Sequence, residues 1–206
     1  MMKDTMTRLT VYPVWEYKKE EEALNKASAE GRQLVKGGCF HSVFRKDDSV
    51  RYIYQLDYCP TPDSKERYIE CFNDAGWEFV NSTYNGWHYF RRPYTQDLAP
   101  EDLKIYSDKE SLYAMENRWL GMITTFSVIY FIFSIIEFVC FLLSASNSMD
   151  YEQLFMCGFM FVMGITFFLG ARSIKRSRAG KKPGFIPPFQ IIFPIAILGL
   201  LLMAFL

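Results

Sequence analysis

The order of apolar and polar residues divides the chain into two halves of different character. Before about residue 120, apolar residues either alternate with polar ones, as in half-buried strands, or recur every three to four positions, as in amphipathic helices. Three long apolar runs follow, at 121–145, 154–171 and 186–206. Each run is close to the ~20 residues that cross a bilayer core. The pattern predicts an α+β N-terminal domain followed by three transmembrane α-helices.

The N-terminal half contains the same pattern twice. The first copy predicts a strand, a helix and two strands at 9–15, 16–30, 33–36 and 39–46. The second copy predicts a strand at 50–59, a helix that begins at Asp63 or Ser64, and strands at 77–82 and 87–92. Each helix ends at a glycine, Gly31 or Gly76, which tolerates a left-handed turn. This duplicated βαββ order predicts one sheet with both helices packed on one face.

Aromatic residues are concentrated in and beside the predicted strands. Two short helices cannot cover all of them, so two interpretations stay open. Either most of the rings fill the core, or some form an exposed face that binds a small apolar ligand or a partner segment. A carboxylate among rings can have a raised pKa, so the candidate face includes an acid. Its members are Trp15, Tyr52, Tyr54, Trp77, Glu78, Trp87 and Tyr89.

The sequence lacks the common catalytic and metal-binding patterns. It contains no glycine-rich phosphate loop and no H-E-x-x-H helix. His41 and His88 lie one position apart in the register of the two copies, and neighbouring strand residues point to opposite faces, so we do not expect them to share a metal. The five cysteines form no C-x-x-C pair. We therefore predict no enzymatic activity, no cofactor and no metal.

The predicted domain boundaries place a cytoplasmic domain at 1–94, a linker with a juxtamembrane helix at 95–120 and a membrane domain at 121–206. A capping box, Ser107-x-x-Glu110, predicts the start of a helix that continues into the first membrane helix. Such a helix would connect the N-terminal domain mechanically to the membrane.

Charge in the membrane half predicts its orientation. The loop 146–153 carries Asp150 and Glu152 and no base, whereas 172–182 carries bases and no acid. The positive-inside rule puts the basic segment and the N-terminal domain in the cytoplasm, and the C-terminus outside the cell membrane. The bases are candidate contacts with lipid headgroups. They are Arg172, Lys175, Arg176, Arg178, Lys181 and Lys182.

Glu137 is the ionisable residue well inside a predicted membrane helix. A charged carboxylate is costly in lipid, so we expect it to be protonated, near the outer interface or paired with a partner. A protein partner or a homo-oligomer that forms through the membrane helices fits this residue. The 23 basic and 23 acidic residues balance, which argues against direct nucleic-acid binding.

Five motifs lie between Tyr12 and Tyr113: Val14-Trp15-Glu16, Glu30–Val35, Arg51–Tyr54, Ala75–Val80 and Tyr89–Arg92. On these motifs the chain from Tyr12 to Tyr113 resembles the bacterial family DUF2812. The resemblance implies no established activity, although members are often encoded beside PadR-type transcription regulators, which implies a regulatory setting. The element order is also similar to that of the effector-binding domains of the GyrI-like group, which is an analogy of layout only.

These features predict a membrane-anchored cytoplasmic sensor or adaptor. It would bind a small molecule or a protein partner and regulate a membrane or transcriptional response. The alternative is a non-catalytic accessory subunit of a membrane complex such as an exporter. A ligand on the N-terminal domain would favour the first, and a stoichiometric membrane partner the second.

Overall fold

The chain divides into two compact units, Met1–Trp119 and Leu120–Leu206. The computed structural model describes residues 5–99, 101–144 and 151–182, together with 184, 186, 191, 192, 194, 195 and 198. The first unit contains the duplicated pattern, and the second contains long apolar helices. Each unit is described by itself.

The first unit confirms the order strand, helix, strand, strand, repeated once. The first copy consists of β1 (Thr5–Leu9), α1 (Tyr17–Ala29), β2 (Arg32–Lys36) and β3 (His41–Lys46). The second copy consists of β4 (Tyr52–Tyr58), α2 (Lys65–Asp74), β5 (Glu78–Ser82) and β6 (Trp87–Pro93).

The first predicted strand, at 9–15, is wrong in its position. The strand β1 ends at Leu9, and Val14–Glu16 form a 3₁₀ turn that leads into α1. Pro13 immediately precedes this turn with φ −61°. Because proline has no N–H to donate to a strand ladder, the chain leaves the sheet before it.

Two three-stranded antiparallel sheets replace the predicted single sheet. Their strand orders are β1-β3-β2 and β4-β6-β5, so both copies have the same topology. The pairing register shifts between Leu34 and Lys36 in β2 and between Phe79 and Asn81 in β5. These shifts mark a bulge at the same position of each copy. The shared bulge supports an internal duplication in which each copy completes its own sheet.

Helix α1 covers the free edge of β4, which keeps a further strand from pairing there. Three of its polar side chains accept hydrogen bonds from alternate backbone N–H groups of β4. The helical period puts these side chains on one face, and the strand period puts the N–H groups on one edge. The bonds run from Leu56 N to Glu21 Oε1 (2.8 Å), from Tyr54 N to Asn25 Oδ1 (2.6 Å) and from Tyr52 N to Ser28 Oγ (2.7 Å).

The helix starts follow local side-chain caps. Ser64 caps α2, since its Oγ accepts a hydrogen bond from Arg67 N at 3.3 Å. The predicted capping box before the long helix is wrong, because that helix, α3, spans Lys109–Ser144 and the capping acceptor is Asp108. Asp108 Oδ1 accepts a hydrogen bond from Ser111 N at 2.7 Å. Helix α3 is unbroken, as predicted for the juxtamembrane and first membrane helices.

The second unit contains an antiparallel pair of helices. The later part of α3 packs on α4 (Tyr151–Arg178). Ser127 Oγ donates to the Gly164 carbonyl at 2.9 Å, and Ser134 Oγ donates to the Cys157 carbonyl at 3.0 Å. A Cβ at Gly164 would lie 3.1 Å from the Phe131 ring, so glycine allows this close approach. Small residues and hydroxyl bonds of this kind join helices in membranes.

Both helices of this pair are long and apolar enough to cross a membrane. The most apolar 18-residue segment has a mean hydropathy of 2.5 in α3 and 2.1 in α4. Only 11% of this segment in α3 and 28% in α4 is buried, whereas the core helix of a soluble protein would be mostly buried. This supports membrane association. Among the described residues, two helices rather than the predicted three are long and apolar enough to cross a membrane. The predicted third helix at 186–206 lies largely outside the described residues.

Candidate functional site

The structure buries most of the predicted aromatic face. Tyr52 is partly buried beneath Arg91, whose Cζ lies 4.2 Å from the ring centroid, and Glu78 is exposed and accepts a hydrogen bond from Arg91 Nε at 2.9 Å. The seven predicted residues therefore do not share one open face, and five of them belong to the core. The core members, with their exposed fractions, are Trp15 (7%), Tyr54 (1%), Trp77 (2%), Trp87 (8%) and Tyr89 (2%).

Trp87 and Tyr89 also line a small cavity, which we call the Glu20 cavity. Its volume is about 70 Å³. The walls come from the segment before α1, from α1 itself, from the β2–β3 and β5–β6 turns and from β6. The side chains that matter for its chemistry are Tyr12, Tyr17, Glu20, Cys39, Trp87 and Tyr89.

The β2–β3 turn of the first copy contacts strand β5 and the β5–β6 turn of the second copy beside this cavity. Asn81 Oδ1 accepts a hydrogen bond from Gly37 N at 2.8 Å, and Asn81 Nδ2 donates to Gly37 O at 2.9 Å. Cys39 Sγ lies 3.2 Å from Asn85 Oδ1. A Cβ at Gly37 would lie 2.5 Å from the Tyr89 ring, so only glycine allows the turn to approach so closely.

Glu20 supplies the acidic group of the cavity. The residue is 9% exposed, and its Oε1 accepts a hydrogen bond from the Tyr89 hydroxyl at 2.7 Å. Burial raises the pKa of Glu20 to about 7, although the Tyr89 hydrogen bond opposes the rise. Burial and the adjacent Glu20 raise the pKa of Tyr89, so this hydroxyl stays a donor. The Glu20 carboxyl therefore changes its charge near neutral pH.

Tyr17 lies between the cavity and the start of α3. Its ring stacks on Trp87, with centroids 5.7 Å apart, and meets Trp119 edge-on at 6.3 Å. Its hydroxyl donates to Glu116 Oε1 at 2.8 Å. Glu116 is 2% exposed, and Lys18 Nζ lies 3.8 Å from the same oxygen. Burial and Glu116 raise the pKa of Tyr17, which keeps the hydroxyl protonated as a donor.

A second buried carboxylate, Asp57, connects β4 to the segments around it. It is 1% exposed and accepts hydrogen bonds from the Tyr68 and Tyr106 hydroxyls. The Arg118 Nη1 atom lies 4.0 Å from Asp57 Oδ2 and donates to the Tyr58 carbonyl at 3.0 Å. An open groove of about 730 Å³ lies beside this cluster. Because the Asp57 oxygens are already bonded within the fold, the cluster stabilises packing and is a poor ligand site.

The histidines lie in different environments. His88 is buried, with Nε2 2.8 Å from the Cys59 carbonyl and Nδ1 2.8 Å from Ser82 Oγ, whereas His41 is exposed. Among the described residues, no cluster of three or more histidine, cysteine or acidic side chains is arranged to hold a metal. All five cysteines, including Cys140 and Cys157, are free thiols.

The candidates in the membrane half lie on the two long helices and just beyond. Glu137 is partly buried on α3, one turn after Ser134. The predicted headgroup contacts are in the last turns of α4 and in the segment that follows it. Most of them are exposed, and Arg176 and Arg178 are partly buried.

Sequence reasoning missed Tyr17, Glu20 and Glu116. A signal was available for the first two, because Tyr17, Glu20 and Leu24 follow helical spacing on one face of α1 and all three are buried. That spacing places a carboxyl on the apolar face of the helix. The contact with Glu116 spans 99 residues of sequence and leaves no local pattern.

The family comparison covers the start of α3 and most of the residues that line the cavity, from Tyr17 onward. A model described as a protein of unknown function, DUF2812, matches residues 16–128, which is more than half of the chain. No curated protein and no solved structure matches the chain. The match confirms the resemblance carried by the repeat motifs. The chain therefore belongs to the DUF2812 family of proteins of unknown function.

Proposed function

We propose that the protein is a membrane-anchored sensor or adaptor that binds a small molecule or a partner through its first unit and transmits the bound state along α3. The observation that carries this proposal is the position of Tyr17. Its ring lines the Glu20 cavity, and its hydroxyl bonds to Glu116 near the start of α3. Helix α3 then continues without a break to Ser144 through an apolar run. No catalytic role is part of the proposal.

The Tyr17→Phe variant tests this link. It removes the hydrogen bond to Glu116 and keeps the ring against Trp87. A lost bond to a charged group costs about 1.5–3 kcal/mol, so amides 110–119 of the full-length protein should exchange with deuterium about tenfold faster or more. Tyr12→Phe removes a hydroxyl from the same cavity, and we expect it to leave this exchange unchanged. Equal protection of 110–119 in wild type and Tyr17→Phe would contradict the proposed link.

The proposed topology puts the first unit and the basic segment 172–182 in the cytoplasm, with a multi-pass anchor in the cell membrane. Charge supports it, because the segment 172–182 has six bases and no acid, whereas 146–153 has two acids and no base. If α3 and α4 are consecutive membrane helices, the start of α3 and the end of α4 lie on the same side of the membrane. A third membrane helix at 186–206 would place the C-terminus outside. The bases would then face anionic headgroups of the inner leaflet.

Thiol labelling in cysteine-free full-length protein tests the topology. A cysteine introduced as Lys181→Cys should react with a membrane-impermeant maleimide only after the inner face is exposed. Asp150→Cys is the matched control and should react in intact cells. Labelling of Lys181→Cys in intact cells would contradict the orientation.

The accessory-subunit function is a second candidate, and Glu137 favours it. This residue is partly buried within the apolar run of α3, and no ion pair to it forms among the described residues. A partner helix or a second copy that donates a hydrogen bond would remove the cost of this carboxyl in lipid. We expect Glu137→Ala to reduce co-purification of a stoichiometric membrane partner in mild detergent. An unchanged yield of that partner would contradict a role of Glu137 in the accessory-subunit function.

A further inference from the structure

We propose that the Glu20 cavity binds the cationic end of a small organic amine, with Glu20 as its counter-charge and Tyr17, Trp87 and Tyr89 as its aromatic walls. This inference rests on the proposed function, since it names the class of ligand for the same cavity. It replaces the small apolar ligand that the aromatic residues predicted from sequence.

The charge of the cavity selects a cation. Among the described residues that line it, Glu20 is the single carboxyl and none is basic. The other lining groups are phenols, an indole, a thiol, small polar side chains and apolar side chains. An ionised carboxylate that is 9% exposed is costly unless a positive charge lies beside it. A bound ammonium removes this cost, whereas an anion would increase it.

Aromatic rings complete the environment that an ammonium group prefers. The stacked pair of Tyr17 and Trp87, with centroids 5.7 Å apart, lines the same cavity as Glu20. Ring faces attract cations, and the indole of tryptophan does so most strongly. The Tyr89 hydroxyl holds Glu20 Oε1 at 2.7 Å and thereby orients the carboxyl. The cavity therefore combines a fixed acid with aromatic walls.

The size of the cavity limits the ligand to a compact head group. A volume of about 70 Å³ is roughly half of the ~150 Å³ cavity that accommodates benzene in an engineered protein core. A primary or methylated ammonium fits this space, and a bulky quaternary ammonium does not. Asn85 is exposed, while Tyr12 and Cys39 are partly buried, so the cavity opens toward these residues. The rest of a longer amine would extend past them.

Binding should also depend on pH. Below about pH 7, Glu20 is protonated and cannot neutralise a cation, so affinity should rise between pH 6 and pH 8. The titratable groups around Glu20 are Tyr12, Tyr17, Cys39, Tyr89 and Glu21. Burial raises the pKa of each of them, so the phenols and the thiol stay neutral in this range, whereas Glu21, with a pKa of about 8, begins to ionise at its upper end.

The experiment measures heats of binding and tryptophan fluorescence of the full-length protein in detergent. The probe is ethylammonium, and ethanol is its neutral counterpart of the same heavy-atom count. We expect saturable ethylammonium binding, little binding of ethanol or tetraethylammonium, and affinity that rises between pH 6 and pH 8. Glu20→Gln should weaken ethylammonium binding at least tenfold and remove the part of the rise that is centred near pH 7. Glu22→Gln changes an exposed acid of the same helix and should have no effect.

Several outcomes would overturn the inference. Equal binding of ethanol would indicate an apolar cavity, and full affinity in Glu20→Gln would place the cation elsewhere. If Glu20→Gln fails to fold, Trp87→Phe tests the inference instead. This variant retains Glu20 and should weaken ethylammonium binding several-fold, and unchanged binding would overturn the aromatic contribution. Absent cation binding with an intact Tyr17→Phe effect on exchange would overturn the ligand class alone. Cation binding without that exchange effect would overturn the sensor proposal alone.

Discussion

The Asn25→Leu variant is expected to lose about 2–6 kcal/mol of the free energy of unfolding of the first unit. Asn25 Oδ1 accepts a hydrogen bond from Tyr54 N at 2.6 Å, and Asn25 Nδ2 donates to Tyr54 O at 3.3 Å. Leucine has a similar size and neither polar group. In the variant, α1 still covers this edge of β4, but the N–H and the carbonyl of Tyr54 have lost their partner. Each unsatisfied group costs about 1–3 kcal/mol.

Denaturant unfolding followed by tryptophan fluorescence measures this loss. All four tryptophans lie at or before Trp119, so the signal reports on the first unit of the full-length protein. Lys26→Leu is the matched control, since it adds the same side chain at the next, exposed position. If both variants unfold at the same denaturant concentration, α1 does not act as the polar cover of β4.

The second large effect is a loss of stability as pH rises. Burial raises the pKa of Glu20 to about 7 and that of Glu21 to about 8, from an ordinary value of 4.5. Folding therefore favours their protonated forms. This contribution is complete below pH 4.5 and is lost as pH rises through about 7 and 8. The first unit should be less stable at pH 8.5 than at pH 5.

Glutamine variants separate this contribution from other titrations. Glutamine keeps an acceptor for Tyr89 or for Leu56 N and carries no charge. Glu20→Gln should therefore exceed wild type in stability at pH 8.5 by about 1–3 kcal/mol and match it near pH 5. Glu21→Gln should show the same sign, and Glu22→Gln, at an exposed position of the same helix, is the matched control. A Glu20→Gln difference that does not change with pH would contradict the assignment.

Both predictions concern α1, because this helix has three distinct environments. One set of its side chains covers β4, Glu20 enters the cavity, and Tyr17 contacts the start of α3. A change of charge in the cavity would act on a helix that is bonded to both a sheet and α3. Such an arrangement fits a unit whose stability and ligand state are coupled.

Much of the first unit could be predicted from local patterns. Alternation located five of the six strands, and the glycines at positions 31 and 76 located the ends of both helices with φ of +74° and +84°. The matching residues of the two copies predicted the duplication and the family. The sequence places the first strand too late, because β-forming residues surround Pro13. Proline has no backbone N–H to donate to a strand ladder, and the strand ends before it.

The candidate site could be predicted only in part. The sequence singles out Trp87 and Tyr89 but leaves open whether they fill the core or form an exposed face, because composition does not tell which rings find neighbours. Apart from its position on the apolar face of α1, no local pattern marks Glu20. Its hydrogen-bond partner Tyr89 lies 69 residues away in the sequence. Tyr17 and Glu116 are 99 residues apart.

The sequence by itself determined the periodic features of this protein: the repeated strand and helix order, the glycine stops, and apolar runs long enough for a membrane. These depend on contacts within a few residues or on length alone. Only the tertiary structure decided that there are two sheets, that α1 covers β4, and that Glu20 meets Tyr89 inside a cavity. Those features depend on which distant groups satisfy each other's hydrogen bonds when they are removed from water, and that choice is made by packing.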